Sequence, residues 1–217
     1  MAKKIKQGFF ITFEGPEGSG KSTQSALLCK DLLADGYEVI HTAEPGGTEL
    51  GHKLRDILLE KDNIRIDKRA ELLLFEADRA QHIEEVIAPG LEQGKIVVCD
   101  RFNTATFAYQ GYGLGMDMDL ILKIDDFSVD GISPDLVLLL DIDTAAGLER
   151  ASSGRSADRM EKRSISFHEK VRHGYLDLAK KSPCAIKVIQ ANDTIDRIYR
   201  LVKKEIYDFI ERHKGTE

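Results

Sequence analysis

Residues 8–23 constrain the fold of this chain more than any other stretch. They form an apolar run that ends at Phe13 and leads directly into the pattern GxxxxGKS. Glycines in this pattern let the backbone turn tightly and direct successive N–H groups inward, so that a polyphosphate can bind at the start of a helix. A helical pattern of apolar residues follows and stops at Gly36. The stretch therefore predicts a strand, a phosphate-binding loop and a helix, in that order.

The residues of this loop are predicted to hold a nucleotide. Lys21 would reach the outer phosphates, and the Ser22 hydroxyl would coordinate magnesium. Asp100 ends a second apolar run, residues 95–100, where a carboxylate could serve the same ion. A glycine-rich turn with an incidental lysine is the alternative, and the strand and helix patterns around the loop argue against it. The predicted nucleotide-binding residues are Gly15, Pro16, Glu17, Gly18, Ser19, Gly20, Lys21, Ser22 and Thr23.

Strand patterns alternate with helical patterns along the chain. After the first strand we predict strands at residues 37–42, 95–100, 136–141 and 185–189. This alternation predicts an α/β fold in three layers, with a central parallel sheet of about five strands flanked by helices. The 217 residues are 42% hydrophobic and can bury a substantial core, so we expect a single domain over the whole chain.

Composition argues against several classes of protein. The net charge of −6 speaks against an extended nucleic-acid-binding surface. No run of about 18 apolar residues is present and the first residues lack the apolar stretch of a signal peptide, so we expect a soluble, cytoplasmic protein without membrane contact. Cys29, Cys99 and Cys184 are interpreted as buried hydrophobic residues. His168 and His173 are expected to be surface or capping residues rather than metal ligands.

A second group of residues could form a binding site beside the phosphate loop. Arg55 lies one turn into a helix and could face a phosphate or be solvated. Phe75 and Arg79 are four residues apart, which fits a surface for stacking a nucleobase or a core phenylalanine beside a surface arginine. On the residues alone the structural interpretations are favoured: a solvated arginine for Arg55, and a core phenylalanine beside a surface arginine for Phe75 and Arg79. Arg101 follows Asp100 at a strand end, where a doubly wound sheet binds its ligand, and a functional role is favoured there.

Residues 150–159 combine small and polar residues with arginines. This composition fits a mobile lid that closes over a bound nucleotide and equally an exposed basic loop. The helix before this segment is predicted to be capped by Asp143 or Thr144.

The motifs together resemble the bacterial thymidylate kinases. The resemblance rests on FEGPEGSGKST, EPGGT, LLFEADRAQH, CDRF and AYQGYG, and it continues through 134–141, 147–150, 158–161 and 167–175 in the family's order. It implies a P-loop nucleoside monophosphate kinase that uses Mg²⁺ and transfers a phosphoryl group from ATP to dTMP, giving dTDP for dTTP synthesis. It also implies a homodimer, a single kinase domain and a small lid at about residues 150–160.

The resemblance implies roles for residues that match the family. Phe75 would stack on thymine, Arg79 would donate to a base carbonyl, and Arg55 with Arg101 would hold the phosphate of dTMP. The remaining contacts implied are Glu17 near the deoxyribose hydroxyl and the transferring phosphate, Tyr109 against the 2′ position of the sugar, and Thr106 and Gln110 around the base.

Members with a glycine after the acidic loop residue, as Gly18 follows Glu17 here, supply a catalytic arginine from the lid. The resemblance therefore implies Arg155 or Arg159 as that arginine, beside Lys21, Glu17 and Arg101 as the other catalytic residues. Two departures loosen predicted contacts: Ala43 replaces an arginine common before EPGG, and residues 104–106 read Thr-Ala-Thr instead of Asp-Ser-Ser.

Two other function classes would share the phosphate loop. A GTP-dependent switch or partition ATPase should carry Asn-Lys-x-Asp or Thr-Lys-x-Asp, and the sequence has neither. A non-catalytic nucleotide-binding module would be expected to have lost Lys21, Asp100 or the lid arginines, and all of them are present. The sequence therefore favours the kinase.

Overall fold

The computed structural model describes residues 8–59, 65–153 and 157–213. Its strands form one parallel sheet in the order β2-β3-β1-β4-β5, which confirms the predicted α/β fold with a five-stranded sheet. The central strand is β1, and all six of its residues are buried because it pairs on both sides and is covered on both faces. The strands are β1 Phe9–Glu14, β2 Val39–Ala43, β3 Ile96–Asp100, β4 Leu136–Asp141 and β5 Ile186–Gln190.

Helices connect the strands and cover both faces of the sheet. Two segments have π-helical hydrogen bonding: Ile83–Ile87 joins α3 to α4, and Phe107–Gly113 continues α5. The α-helices of the described residues are α1 Lys21–Ala34, α2 Glu49–Leu59, α3 Lys68–His82, α4 Ala88–Glu92, α5 Asn103–Thr106, α6 Met118–Val129, α7 Thr144–Ser152, α8 Ile165–Lys181 and α9 Ile195–His213.

The core is divided by the sheet, since alternate strand residues point to opposite faces. Ile11 and Phe13 of β1 pack with α1 and α9 on one side. Phe10 of the same strand packs with Phe102 and Ile87 on the other side. On that second side α8 lies against the 107–113 segment and β4, and this packing places α8 beside the carboxyl end of β1.

Several predicted boundaries agree with the structure. The strand predicted at 136–141 has the same bounds as β4, and α1 ends before Gly36, whose φ is +89°. The two alternatives for the cap of α7 are resolved in favour of Asp143, whose side chain accepts hydrogen bonds from the backbone N–H groups of Ala145 and Ala146.

Two predictions about individual residues are wrong. Cys184 is exposed, unlike Cys29 and Cys99, because it lies in the turn before β5 rather than in an apolar face. His168 is buried, since it sits on the inner side of α8 beside Phe167, whereas His173 is exposed as expected. Within the described ranges, no helix combines the length and apolar character that a membrane crossing requires.

Candidate active site

A cavity of about 1050 Å³ opens at the carboxyl ends of β1, β2 and β3. The phosphate loop forms one part of its wall, and side chains from α3 and the 103–113 segment form another. The structure thus brings together two groups of predicted residues that lie far apart in sequence. The predicted site residues that line the cavity are Glu17, Gly18, Gly20, Lys21, Ser22, Thr23, Arg55, Phe75, Arg79, Asp100, Arg101, Thr106, Tyr109 and Gln110.

The phosphate loop has the backbone shape that its glycines predict. Gly15, Gly18 and Gly20 all have φ between +65° and +139°, a region that favours glycine. A Cβ on Gly18 would lie 1.9 Å from the carbonyl oxygen of Gly147 in α7, so the loop also contacts that helix closely. Pro16 and Ser19 complete the loop, and α1 begins at Lys21.

Lys21 folds back over the loop. Its Nζ donates to the carbonyl oxygens of Gly15 and Pro16, at 3.0 and 2.9 Å. The side chain is buried, and this burial, with the nearby Arg101 cation, lowers the pKa of Lys21 to about 8. The ammonium group is therefore held at the loop by neutral carbonyl groups, which is a position from which it can contact an anion.

Ser22 and Asp100 meet at the other side of the loop. In the register of β1 and β3, Phe13 is opposite Asp100, and this places the carboxylate next to the start of α1. The Ser22 hydroxyl donates a hydrogen bond to Asp100 Oδ2. The structure therefore joins the hydroxyl and the carboxylate that were predicted to serve magnesium.

Arg101 adopts a strained backbone conformation with φ of +73°. Left-handed conformations of non-glycine residues cost about 1–3 kcal/mol and persist where the surroundings hold them. Here the Arg101 guanidinium donates to the Gly15 carbonyl and the Tyr175 hydroxyl, both at 3.2 Å, and to Glu17 Oε2 at 3.0 Å. These bonds fix the charged end of Arg101 next to the phosphate loop.

Glu17 connects Arg101 to Tyr109. Its Oε1 accepts a hydrogen bond of 2.6 Å from the Tyr109 hydroxyl, while Oε2 pairs with Arg101. Burial alone would raise the pKa of Glu17, but Arg101, Lys21 and the Tyr109 hydroxyl together lower it to about 2. Glu17 is therefore a carboxylate throughout the neutral range.

Tyr175 contacts Arg101, and Glu14 contacts Tyr175 in turn. Neither Glu14 nor Tyr175 was singled out from the sequence. Glu14 Oε1 accepts from the backbone N–H of Phe102 at 2.7 Å, and Oε2 accepts from the Tyr175 hydroxyl at 3.0 Å. Burial raises the pKa of Glu14 to about 7 despite the nearby Arg101. A carboxylate that ends a central strand whose other residues, apart from Thr12, are apolar is a signal that could have identified Glu14.

Phe75 and Arg79 have the reverse of the burial expected from a core phenylalanine beside a surface arginine. Phe75 is partly exposed to the cavity, whereas Arg79 is only 2% exposed. The Arg79 guanidinium donates to Glu44 at 3.1 Å, to Glu76 at 2.5 Å and to the Thr106 hydroxyl at 3.0 Å. Asp125 adds a further ion pair at 3.5 Å.

Glu44 also pairs with a histidine that the sequence did not reveal. His82 Nδ1 lies 3.0 Å from Glu44 Oε1, and its Nε2 lies 2.7 Å from the Thr42 hydroxyl. Since His82 is fully buried, these hydrogen bonds fix the Glu44 carboxylate, which in turn accepts a hydrogen bond from Arg79. Of the positions that depart from the family, Thr106 keeps a polar contact through Arg79, and Ala43 lines the cavity without a side-chain donor.

The predicted arginines outside the loop have different locations. Arg55 is exposed, lines the cavity and donates to the Pro45 carbonyl at 2.7 Å. Arg159 is held away from the phosphate loop, because it donates to Glu71 at 2.6 Å and to the Leu58 carbonyl at 2.7 Å. Arg155 lies outside the described residues. Arg150, which was not predicted as a site residue, does line the cavity.

Asp78 contacts the loop that follows β2, and its raised pKa predicts a pH dependence of stability. Its Oδ1 accepts from the backbone N–H of Gly46 at 3.0 Å, and Oδ2 has no hydrogen-bond partner among the described residues. Burial, with the nearby Glu44, raises the pKa of Asp78 to about 7. Between about pH 4 and this value Asp78 holds a proton in the folded protein that it has released in the unfolded chain, so its contribution to stability falls as pH rises.

We expect Asp78→Asn to remove this pH dependence. The free energy of unfolding of the variant, relative to the wild type, should rise by on the order of 2 kcal/mol between pH 5 and pH 8. Urea denaturation at the two pH values measures the change, and Asp56→Asn on the exposed side of α2 is the matched control. Parallel pH profiles for wild type and Asp78→Asn would contradict the raised pKa.

Comparison with known proteins identifies the family. The family model for thymidylate kinase matches residues 13–202. The chain is 44% identical over 201 residues to thymidylate kinase of Clostridium novyi, covering 92% of this chain and 98% of that protein. It is 50% identical over 177 residues to thymidylate kinase of Halothermothrix orenii, covering 80% and 85% of the two chains.

A solved structure gives the same result. The crystal structure of thymidylate kinase from Ehrlichia chaffeensis is 38% identical, with a TM-score of 0.76, and covers 93% of this chain and 99% of that chain. The chain therefore belongs to the thymidylate kinase family.

Proposed function

We propose that this chain transfers the terminal phosphoryl group of ATP to dTMP and so produces dTDP. One observation carries the proposal: a single cavity joins a phosphate loop to a half-buried aromatic side chain, Phe75, with a fixed arginine, Arg79, beside it. A kinase acting on a nucleotide needs two anion sites and a base site within reach of each other. Family membership identifies the acceptor as dTMP.

The phosphate loop is the proposed donor site. The N–H groups at the start of α1 and the Lys21 ammonium group would bind the ATP phosphates. Ser22 and Asp100 supply the hydroxyl and carboxylate oxygens that Mg²⁺ prefers, and we propose that they hold this ion together with phosphate oxygens and water. When bound, the ion would neutralise charge on the phosphates.

The other part of the cavity is the proposed acceptor site. The thymine ring would stack on Phe75, and Arg79 would donate to a base carbonyl through the second N–H of Nη2, since Thr106 accepts only one of the two. Arg101 and Arg55 would bind the acceptor phosphate. Glu17 and Tyr109 would contact the sugar, because Glu17 is bonded to both Arg101 and Tyr109 and both residues line the cavity.

We propose direct in-line transfer with no covalent enzyme intermediate, because phosphoryl transfer depends mainly on positioning and charge neutralisation. Lys21 and Arg101 are both fixed at the Gly15 carbonyl, so a transferring phosphoryl group placed between donor and acceptor would meet two cations. Residues 150–160 are the proposed lid. Arg155 is a candidate for its catalytic arginine, and Arg159 could take this role only after leaving Glu71.

The substrate profile tests the base pocket. We expect dTMP to exceed dUMP in kcat/KM only modestly, because one methyl group in an apolar pocket contributes roughly 1–3 kcal/mol. dCMP should be much poorer, since its exocyclic amine is a donor where Arg79 requires an acceptor. Initial rates of ADP release with the three acceptors measure these ratios. Equal use of dCMP and dTMP would contradict the role of Arg79.

We also propose a homodimer formed through α3 and α6, which pack against each other. Large apolar side chains on these helices are exposed, including Leu73, Leu120 and Phe127, the last of them 87% exposed. A second copy of the chain would cover them, as an apolar interface requires. Light scattering measures the mass in solution, and a mass near the 24.3 kDa of one chain would contradict the dimer.

A further inference from the structure

A buried carboxylate, that of Glu71 in α3, lies outside the machinery described above and binds three donors. Glu71 is 0% exposed. Its Oε2 accepts from Arg159 at 2.6 Å and from Arg163 at 2.7 Å. Its Oε1 accepts from the side-chain amide nitrogen of Gln110 at 3.0 Å. Residues from three separate parts of the chain therefore meet at this one side chain.

The contact between Glu71 and Gln110 fixes the orientation of the Gln110 amide, that is, which end carries the nitrogen and which the oxygen. A carboxylate that faces two guanidinium groups can only accept hydrogen bonds, so the NH₂ group of Gln110 must point towards it. The other polar atom of the amide is Oε1, which is an acceptor. Since Gln110 is among the residues that line the cavity, this carbonyl oxygen is the atom of the amide that can accept a hydrogen bond from a ligand.

The position of Gln110 relative to the base pocket follows from helical spacing. Glu71, Phe75 and Arg79 are four residues apart and share one face of α3, and Thr106 and Gln110 have the same spacing on the facing segment. Two cross-links join these faces, Glu71 to Gln110 and Arg79 to Thr106. Phe75 lies one turn from each link, so a base stacked on it has a donor on one side and an acceptor on the other.

We propose that Glu71 is a positioning residue that sets base specificity by holding the Gln110 carbonyl towards the base. The proposal rests on the proposed function above. A thymine or uracil attached through N1 presents one ring N–H between two carbonyl oxygens. Arg79 matches a carbonyl, and the Gln110 carbonyl matches the N–H. Cytosine presents an unprotonated ring nitrogen at that place, which would face the Gln110 oxygen with two acceptors and no proton.

The charge of Glu71 matters because a neutral amide would not impose this polarity. A glutamine at position 71 can turn either its oxygen or its nitrogen towards Gln110, so the Gln110 amide could then rotate and offer NH₂ to a cytosine ring nitrogen. Arg159 and Arg163 keep the native carboxylate in place, which leaves the Gln110 amide one favourable orientation.

A double-mutant cycle tests whether Glu71 acts through Gln110. The measured quantity is the ratio of kcat/KM for dTMP to that for dCMP in wild type, Glu71→Gln, Gln110→Met and the double variant. We expect each single substitution to lower the ratio about tenfold or more, as leaving a buried polar group unpaired does. The double variant should have the same ratio as Gln110→Met alone, because Glu71→Gln cannot change the orientation of an amide that is no longer present.

Arg163→Met is the matched control. It removes one donor from the same carboxylate and leaves Glu71 and Gln110 in contact, so the ratio should stay within about threefold of wild type. A ratio that falls as far in this control as in Glu71→Gln would overturn the proposal, because the effect would then follow from disturbance of residues 158–163.

Other results also decide the question. An unchanged ratio in folded Glu71→Gln, or losses that add in the double variant, would overturn the proposal. Should Glu71→Gln fail to show a cooperative thermal transition, an unchanged ratio in Gln110→Met still overturns the proposal, because the Gln110 carbonyl would then have no part in base choice. Failure of the proposed function is distinguishable, since wild type would then not phosphorylate dTMP at all, whereas the Glu71 test concerns ratios in an active enzyme.

Discussion

Replacing Lys21 with alanine is expected to lower kcat by about 100-fold or more while leaving the fold intact. Among the described residues, the Lys21 ammonium group donates hydrogen bonds to loop atoms, the carbonyls of Gly15 and Pro16 and the Ser19 hydroxyl, so its loss leaves the apolar core packing in place. In the reaction it would stabilise charge on the transferring phosphoryl group, and removing one such preorganised contact typically costs on the order of 10²–10³ in rate. Initial rates of ADP release and a thermal melt by circular dichroism measure the two quantities.

Lys30→Ala is the matched control for this prediction. Lys30 lies on the same helix, α1, but its side chain is exposed and far along the helix from the phosphate loop. It should have wild-type turnover and stability. Turnover of Lys21→Ala within about threefold of wild type, with both variants folded, would contradict the assignment of the phosphate loop as the donor site.

Replacing Arg79 with methionine is expected to have the largest effect on stability. The Arg79 guanidinium faces three buried carboxylates, those of Glu44, Glu76 and Asp125. Removing the charged partner from a buried ion pair costs about 3–5 kcal/mol, because the remaining charges are left without compensation. Methionine fills much of the same volume, so the loss should come from charge rather than from a cavity. Urea denaturation at pH 8 measures the change in the free energy of unfolding.

The pH dependence of this variant separates charge from packing. Burial raises the pKa of Asp125 to about 6 even beside Arg79, and loss of the guanidinium should raise it further, so the destabilisation should be smaller at pH 5 than at pH 8. Arg69→Met is the control, since Arg69 is on the same helix and pairs with Asp67 on the surface, and no measurable loss is expected. Equal destabilisation at the two pH values would show that Arg79 contributes mainly by packing.

The parts of the fold that the sequence predicted are those set by local pattern. The phosphate loop, α1 and β4 follow from glycine spacing and from uninterrupted apolar runs, and no distant residue is needed to produce them. The order of the strands in the sheet was not predicted, because the alternation of strands and helices indicates a parallel sheet but does not specify which strands are neighbours. The prediction that Phe75 and Arg79 share a site came from their spacing together with the family resemblance.

The burial and the ion pairs of the predicted arginines, which the sequence did not reveal, depend on contacts across the fold. Arg79 is buried because Glu44 and Asp125, from other elements, surround it, and spacing on α3 alone favoured a surface arginine. In the same way Arg159 donates a hydrogen bond to Glu71, which lies 88 residues earlier in the sequence, and this contact places the arginine away from the phosphate loop. Such ion pairs require the tertiary structure, since neither partner carries a local signal of the other.

The choice of acceptor tests most directly whether this chain phosphorylates dTMP. ATP is offered with an equimolar mixture of dTMP, dCMP, dAMP, dGMP, AMP and GMP, and the nucleoside diphosphates formed are quantified by mass spectrometry at early times. We expect dTDP to be the dominant diphosphate apart from the ADP left by the donor, and we expect its yield to fall when Arg79 is replaced. Phosphorylation of dGMP, GMP or dAMP without phosphorylation of dTMP would contradict it.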